Sequence, residues 1–319
     1  MTTEDKIGLE VEERGTTQIV RIYGGKDALL YPQMAVDLAT IVDRADKDPD
    51  VHAVIFTGTH PDRFLSHADI VWLQQGGVGF PPITTRVAGF VFRTATAINK
   101  VPGLRSVASA LGFKTLLQLD GLHATFLKMN RSGTIFVAAL NGSALAIGAE
   151  FAWACDVRIM AEGDYAIGLS EVLLALTPGG GGSQRLTRLI GPRQALAAVL
   201  EAKAFTPAEA LAVGAVDEVV PQSQVLERAL ERAEFLGLRA KKSLGAIKRS
   251  IYFGASLPIM QGLQFEHAEF LVRDQDKEAQ KRMLGYIDAI KASGDLPLLD
   301  PKIYARSVRE GRIGNYSKA

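Results

Sequence analysis

The chain has 319 residues, of which 47% are hydrophobic and 22% are charged, so it is long enough to bury a full core in one large domain or two modest ones. Its formal net charge is +1 and its basic residues are scattered, which argues against nucleic acid or an anionic membrane surface as a partner. The single cysteine, Cys155, cannot form an internal disulfide, and the opening residues carry charges where a signal peptide is apolar, so we predict a cytoplasmic protein.

The first part of the chain alternates strand and helix signals. Short β-rich runs occupy residues 17–23 and 51–57, and a stretch with helical spacing lies between them at 34–45. This order predicts βαβ units in a layered α/β core. From 76 to 132 the pattern changes to apolar helical faces interrupted by Gly and Pro, which predicts a helical insertion.

Residues 134–155 are apolar enough to raise the question of a membrane span. The break at Asn141-Gly142-Ser143 and the carboxylate of Glu150 argue against a span, and they favour a buried strand at 135–140, a turn and a helix. A further strand signal follows at 157–161.

The pattern divides the chain into three parts. We predict an α/β core over residues 1–205 that contains the insertion, and a helical C-terminal region over 206–291. Residues 292–319 have Gly and Pro breaks and few apolar side chains, which predicts an arm or a partly ordered tail.

The strand-to-helix turn around residues 141–150 is suited to binding a ligand. Small side chains there let a ligand approach the backbone closely. The first turn of the helix offers unpaired N–H groups and the positive end of its dipole to an oxyanion. Glu150 falls in this turn, either as a catalytic carboxylate or simply as a helix-start carboxylate that the dipole favours.

Four consecutive glycines, Gly179–Gly182, follow Pro178. Glycine can adopt positive φ or lie against another group, and Ser183 is placed to cap the helix that follows. The Lys-Ser/Thr ending of a nucleotide-binding P-loop is missing, which argues against a nucleotide-hydrolysing enzyme.

Five motifs occur in order along the chain: Asn141-Gly142 with Gly148-Ala149-Glu150, Ala154 through Ile159, Ser170-Glu171-Val172, Pro178 through Leu186, and Thr206 through Ala210 leading to Gly214 through Pro221. Upstream, residues 63–70 are similar to an F-x-A-G-A-D-I turn. Together these motifs resemble the enoyl-CoA hydratase/isomerase (crotonase) family. The resemblance spans about residues 11–70 and 134–291 and leaves out the insertion and the tail.

The resemblance implies a crotonase-like ββα spiral core with a helical C-terminal trimerisation region, and therefore a homotrimer or a dimer of trimers. It implies that Glu150 and Glu171 are the catalytic carboxylates and that the N–H groups of Ala68 and Ile147 form an oxyanion hole. The implied substrate contacts, including the coenzyme A path, are Lys26, Ala28, Ser66, His67, Asp69, Ile70 and Gly148. Coenzyme A is then part of the acyl-CoA substrate, so no separate cofactor is predicted. No metal is predicted either, because the histidines lack metal-ligand spacing.

These parts match the addition of water to a 2-enoyl thioester. Attack at C3 moves charge onto the thioester oxygen, and each N–H donor there lowers the barrier by ~3 kcal/mol. One carboxylate takes a proton from water while the other protonates C2. Two close carboxylates in an apolar pocket do not both ionise easily, which leaves one acid and one base near neutral pH.

Two departures from the family pattern affect the pocket. His67 stands where the family has glycine, and Ala146-Ile147-Gly148 replaces a glycine triplet, which adds bulk beside the thioester. Hydration of a trans-2-enoyl-CoA is the leading prediction. The alternatives are a 3-enoyl/2-enoyl-CoA isomerase, which needs only one acid/base at Glu171, and an acyl-CoA-binding or assembly protein whose catalysis has decayed.

Apolar side chains of the insertion either roof a large acyl pocket or form the core of the inserted helices; they are Trp72, Phe80, Val87, Phe90, Val91, Phe92 and Leu104. We predict that residues 79–129 border the acyl pocket and select a bulky or long acyl group.

Overall fold

The structure is a computed structural model that describes residues 6–78 and 82–313. Phe80 of the predicted acyl roof and residues 314–319 of the predicted tail lie outside these described residues. Within them, no helix combines the length and the apolar character needed to cross a membrane.

Two β-sheets hold the strands of the described residues. The strand bounds are β1 (Ile7–Arg14), β2 (Thr17–Gly24), β3 (Ala53–Gly58), β4 (Arg63–Leu65), β5 (Ile135–Leu140), β6 (Ser143–Leu145), β7 (Val157–Ala161), β8 (Ile167–Gly168), β9 (Ala204–Phe205) and β10 (Glu218–Val220). The larger sheet has the order β1-β2-β3-β5-β7-β10 and is parallel except for β1. The smaller sheet has the order β4-β6-β8-β9 and is parallel except for β9.

Helices surround these sheets and form the C-terminal part. Their bounds are α1 (Pro32–Lys47), α2 (Ile70–Val78), α3 (Thr85–Asn99), α4 (Pro102–Ala108), α5 (Lys114–Arg131), α6 (Ile147–Ala154), α7 (Gly182–Ile190), α8 (Pro192–Leu200), α9 (Pro207–Val213), α10 (Val225–Gly237), α11 (Lys241–Tyr252), α12 (Ile259–Asp274), α13 (Lys277–Ser293) and α14 (Pro301–Glu310). A π-helical turn, Ser109–Phe113, joins α4 to α5.

The central strands of the larger sheet are buried on both faces. Val54 and Phe56 of β3 pack with residues of α1, α5 and α6 on one side. Ile55, between them in sequence, packs on the other side against Ala229 and Ala233 of α10. Because helices cover both faces, these strands read as continuous apolar runs rather than as alternating ones.

The predicted elements of the core are confirmed by the structure. The apolar stretch at 134–155 contains the predicted strand β5, the turn at Asn141-Gly142 and the helix α6, and a short strand that was not predicted, β6, lies between the turn and the helix. The remaining signals correspond to β2, α1, β3 and β7 at 17–23, 34–45, 51–57 and 157–161.

The region predicted as an insertion contains α3, α4 and α5. The buried carboxylate of Asp120 on α5 accepts hydrogen bonds from the Thr96 hydroxyl at 2.5 Å and the Asn99 amide at 2.6 Å, both on α3. These bonds tie α3 to α5. Within the predicted tail, the Asp300 side chain caps α14 by accepting from the backbone N–H groups of Lys302 and Ile303.

Candidate active site

The turn after β5 is built by an asparagine and a glycine. The Asn141 side-chain oxygen accepts from the Gly58 N–H at 2.9 Å, and its amide nitrogen donates to the His60 carbonyl at 2.7 Å. A Cβ on Gly142 would lie 2.2 Å from the Asp62 carbonyl, so only glycine fits. The carboxyl ends of β3 and β5 are thereby fastened together, which places β4 beside β6.

The segments that follow β4 and β6 touch each other. Gly148 donates its N–H to the Ser66 carbonyl at 3.3 Å, and a Cβ on Gly148 would lie 1.9 Å from the Leu65 carbonyl. Gly148 therefore keeps the two segments in contact. Because its N–H already has an acceptor, it contributes to the site through this close approach of two backbones.

Two backbone N–H groups at this junction lack acceptors. Leu30 forms a bridge around Ala68, accepting from the Asp69 N–H and donating to the His67 carbonyl, both at 3.0 Å. In an extended segment alternate groups face opposite sides, so the Ala68 N–H faces away from Leu30. Ile147 is the first residue of α6, where N–H groups have no intrahelical partner. Neither N–H has an acceptor in the part of the chain that the structure describes.

The residue before α6 has an unusual backbone. Ala146 lies at φ 49° and ψ −119°, a conformation that favours glycine, and its N–H donates to the Gly168 carbonyl at 2.9 Å. This turn redirects the chain from β6 into the helix, and it orients the Ile147 N–H. The alanine therefore holds a geometry that a glycine would adopt without strain.

Glu150 is buried against the glycine run. Only 2% of the surface of this residue is exposed to solvent. The Gly180 N–H donates to both of its oxygens at 2.8 Å, and the Gly182 N–H donates to Oε1 at 2.7 Å. A Cβ on Gly180 would lie 2.4 Å from both Glu150 Oε2 and Ile147 Cδ1. The bulk of Ile147 thus lies against the glycine run, and Gly180 cannot be replaced without displacing its neighbours.

Burial controls the proton affinity of Glu150. Removal from water raises its pKa to about 7, and the nearby negative charge of Glu171 also raises it. The N–H groups of Gly182 and Gly180 and the cation of Arg185 act in the opposite direction by stabilising the carboxylate. The result is a carboxyl group that can take or release a proton near neutral pH.

Glu171 begins a single 3-10 turn, Glu171–Leu174, and is half-buried. Its Oε2 is buried without a hydrogen-bond partner among the described residues. Burial raises its pKa, opposed by the N–H groups of Glu171 itself and Ser170. A buried carboxylate oxygen without a partner is costly unless a ligand or water bonds to it, so Glu171 Oε2 is a candidate for a contact with substrate.

Two further side chains hold carbonyl groups of the glycine run, and the sequence did not single out one of them, His123. His123 of α5 contacts the Gly179 carbonyl through Nε2 at 2.5 Å, and the Arg185 guanidinium donates to the Gly180 carbonyl at 3.0 Å. Arg185 lies within a recognisable motif. His123 has no such signal, because it is 56 residues from Gly179 in sequence.

The start of α7 differs from the prediction. Gly181, at φ 95°, is the N-cap residue, and no side chain caps this helix. The prediction that Ser183 caps it is wrong, because the helix already begins at Gly182. The left-handed glycine turns the chain so that the backbone of the run, rather than a hydroxyl, faces Glu150.

The residues predicted to contact coenzyme A lie next to this centre. Ser66 donates its N–H to the Ala28 carbonyl at 2.7 Å and its hydroxyl to the Asp27 carbonyl at 2.9 Å. Ser66 and His67 line a cleft of about 790 Å³, together with Asp27, Leu29, Asp62, Arg63, Ser143, Leu145, Asp164 and Tyr165. This cleft adjoins Ala68.

Other predicted contacts have different surroundings. Lys26 is exposed, and Ala28 is buried with φ 52°. Asp69 accepts from the Val71 N–H at 3.0 Å at the start of α2, and Ile70 is 40% exposed. No group of three His, Cys, Asp or Glu side chains converges as a metal site within the described ranges.

Comparison with known proteins identifies the family and the fold. The profile of the enoyl-CoA hydratase/isomerase family matches residues 112–293, which is more than half of the chain. The chain belongs to the enoyl-CoA hydratase/isomerase family. It therefore has the predicted α/β, crotonase-like fold with a helical C-terminal region. The match includes α5, Glu150, Glu171 and the glycine run.

Relatives agree with this assignment. The short-chain-enoyl-CoA hydratase of Clostridium acetobutylicum is 28% identical over 285 residues, which is 89% of this chain and 96% of that protein. The fatty acid oxidation complex subunit alpha of Idiomarina loihiensis is 29% identical over 313 residues, or 98% of this chain, but the chain spans only 37% of that larger protein. The enoyl-CoA hydratase structure from Geobacillus kaustophilus superposes with a TM-score of 0.71 at 27% identity, covering 89% of this chain and 94% of that one.

Proposed function

We propose that the protein hydrates a trans-2-enoyl-CoA to a 3-hydroxyacyl-CoA. The observation that carries this proposal is a pair of neighbouring carboxylates, the buried Glu150 and the half-buried Glu171, close enough for the charge of one to raise the pKa of the other. Hydration needs a base for water and an acid for C2, and two such neighbouring carboxyl groups can supply both.

The donors of the site suggest how charge is stabilised. The N–H groups of Ala68 and Ile147, which have no acceptor among the described residues, are the proposed donors to the thioester oxygen, which gains negative charge as water attacks C3. The cleft lined by Ser66 and His67 leads away from Ala68 and suits the pantetheine and nucleotide parts of the coenzyme A ester. Coenzyme A enters and leaves as part of the substrate, so no separate cofactor takes part.

The hydrogen bonds of the carboxylates suggest their roles. Three N–H contacts from the glycine run favour the ionised form of Glu150, so we assign it the role of the base that takes a proton from the attacking water. Glu171, with its unpartnered oxygen, donates the proton that C2 receives. The hydroxyl of water joins C3, a proton joins C2, and proton exchange with solvent then resets both groups.

A second candidate is a 3-enoyl/2-enoyl-CoA isomerase. The glycine run occupies both oxygens of Glu150, whereas Glu171 keeps a buried oxygen for substrate, as a single acid/base that moves a proton between carbons requires. A panel of enoyl-CoA esters followed at the absorbance of the conjugated thioester separates the two. Hydration removes the conjugated absorbance, whereas isomerisation of a 3-enoyl ester creates it. Binding of these esters with no turnover of either kind would point to the catalytically decayed alternative.

The C-terminal helices support an oligomer. None of the residues of α12 is buried, and Phe270 and Leu271 on this helix are 61% and 54% exposed. Apolar surface of this extent marks an interface in a soluble protein. We therefore propose a homotrimer or a dimer of trimers in which these helices pack against neighbouring subunits.

A further inference from the structure

We propose that His123 is a positioning residue for Glu150: its ring holds the Gly179–Gly180 peptide in the orientation from which that peptide donates to the Glu150 carboxylate. This proposal rests on the proposed function in assigning Glu150 the role of the base. It extends that function to a residue on α5, in the helical region before β5.

One peptide unit joins the two side chains. The carbonyl of Gly179 and the N–H of Gly180 belong to the same planar group and point in opposite directions in a trans peptide. His123 bonds to the carbonyl at 2.5 Å, and Glu150 receives the N–H at 2.8 Å on each oxygen. Because the unit is rigid, fixing its carbonyl also fixes the direction of its N–H.

The glycine run needs an external anchor. Glycine loses more conformational freedom on folding than any other residue, and the run has no side chains to pack. A Cβ built on Gly179 meets no atom of the described residues within 4 Å, so side-chain packing does not fix the backbone there. The described side-chain anchors on its carbonyls are His123 at Gly179 and Arg185 at Gly180.

The chemistry of the contact fixes the tautomer of the ring. A carbonyl oxygen only accepts hydrogen bonds, so Nε2 of His123 carries the hydrogen. The imidazole ring also contacts α3, because the Phe92 ring lies edge-on to it with the two centroids 6.5 Å apart. His123 therefore connects α3 with the run that holds the proposed base.

Movement of the glycine run away from Glu150 should change the pKa of Glu150 in a definite direction. The groups that act on its charge are Arg185 and the Gly180 and Gly182 N–H groups, which stabilise the carboxylate, and Glu171, which destabilises it. If the Gly180 N–H drifts away while the others stay, the pKa of Glu150 rises. A base with a higher pKa is ionised only at higher pH, so the acidic limb of kcat/KM moves upward.

The test compares His123→Leu, which removes the donor, with His123→Gln, whose side-chain amide can donate to the same carbonyl. For hydration, the Leu variant should lose on the order of 10- to 100-fold in kcat with little change in KM, and its acidic limb should move to higher pH. The Gln variant should recover most of the wild-type kcat and most of the wild-type position of the acidic limb. Gln118→Leu, on the same helix and without a hydrogen bond to the run, is the matched control.

A second readout keeps the test independent of the reaction. The carboxyl resonance of Glu150 can be titrated by NMR in protein with isotope-labelled glutamate and identified by its absence in Glu150→Gln. The pKa should rise in His123→Leu and return toward the wild-type value in His123→Gln, even if the enzyme proves to be an isomerase. An unchanged Glu150 titration in a folded His123→Leu protein, or equal effects of Leu and Gln, would overturn the proposal.

Discussion

The N–H of Gly180 donates to both carboxylate oxygens of Glu150 at 2.8 Å, so one backbone group of the glycine run contacts both oxygens of the proposed base. Glu171, in contrast, has a buried oxygen without a partner in the described structure. The two carboxylates are therefore unequal before any substrate arrives. One is held by the protein, and the other is open to what binds next to it.

The raised pKa of Glu150 predicts how stability depends on pH. Below the ordinary value of 4.5 the group is protonated in both the folded and the unfolded chain, whereas between 4.5 and about 7 only the folded chain keeps the proton. Its contribution to stability is therefore full at low pH and is lost as pH rises through about 7. Glu150→Gln removes this dependence.

The free energies of urea unfolding of wild type and Glu150→Gln should therefore diverge with pH. From about pH 5 to about pH 8 the variant should gain on the order of 3 kcal/mol relative to wild type, at ~1.4 kcal/mol per pKa unit. Glu162→Gln, which changes an exposed side chain, is the control variant. A constant difference between wild type and Glu150→Gln would show that Glu150 does not titrate in this range.

Neighbouring glycines of the run should differ sharply in how well they tolerate substitution by alanine. A Cβ on Gly180 would lie 2.4 Å from Glu150 Oε2, whereas a Cβ on Gly179 meets nothing within 4 Å. Gly180→Ala should lower kcat for hydration by roughly 10²-fold, because displacement of the carboxylate disturbs its alignment with substrate. Gly179→Ala should cost far less. Similar losses for both would mean that the contact with Glu150 is not what makes glycine necessary.

The inserted helices should influence the choice of acyl group. Phe92 is 40% exposed and lies beside His123, whereas Phe90, two residues earlier on α3, is 65% exposed and faces another direction. Phe92→Ala should therefore change the relative activities on short, long and bulky enoyl-CoA substrates more than it changes the affinity for coenzyme A itself. Phe90→Ala should change these relative activities less. If Phe92→Ala alters only thermal stability, the helices are core or interface rather than a pocket wall.

Assembly can be measured directly by light scattering. The exposed apolar residues of α12 predict a trimer or a hexamer, and charged replacements of Phe270 and Leu271 should dissociate it. Gln264→Asp, on the same helix, should leave the mass unchanged. A monodisperse wild-type monomer would refute the proposed oligomer.

Much of the core could be predicted because its signals are local. The apolar runs of β3 and β5 result from burial on both faces, and the break at Asn141-Gly142 results from a turn that only those two residue types can build as observed. Glu150 could be placed in the first turn of a helix for the same reason.

Other features depend on contacts that spacing does not encode. The helix cap predicted at Ser183 was wrong because the N-cap is Gly181, with a left-handed backbone, so the helix starts two residues earlier than predicted. The bulk of Ile147 could be noted, but its packing against Gly180 depends on how two distant segments meet. His123 could not be found from the sequence, because a lone histidine on a helix has no pattern that indicates its partner.

The central claim is tested most directly by following a trans-2-enoyl-CoA in water labelled with heavy oxygen, using wild type, Glu150→Gln and Glu171→Gln. Wild type should place the label in the C3 hydroxyl of the product, as mass spectrometry would show. Each glutamine variant should react on the order of 10²- to 10⁴-fold more slowly while still binding the ester. Near-normal hydration by Glu150→Gln, or isomerisation without incorporation of label by wild type, would contradict the two-carboxylate hydratase.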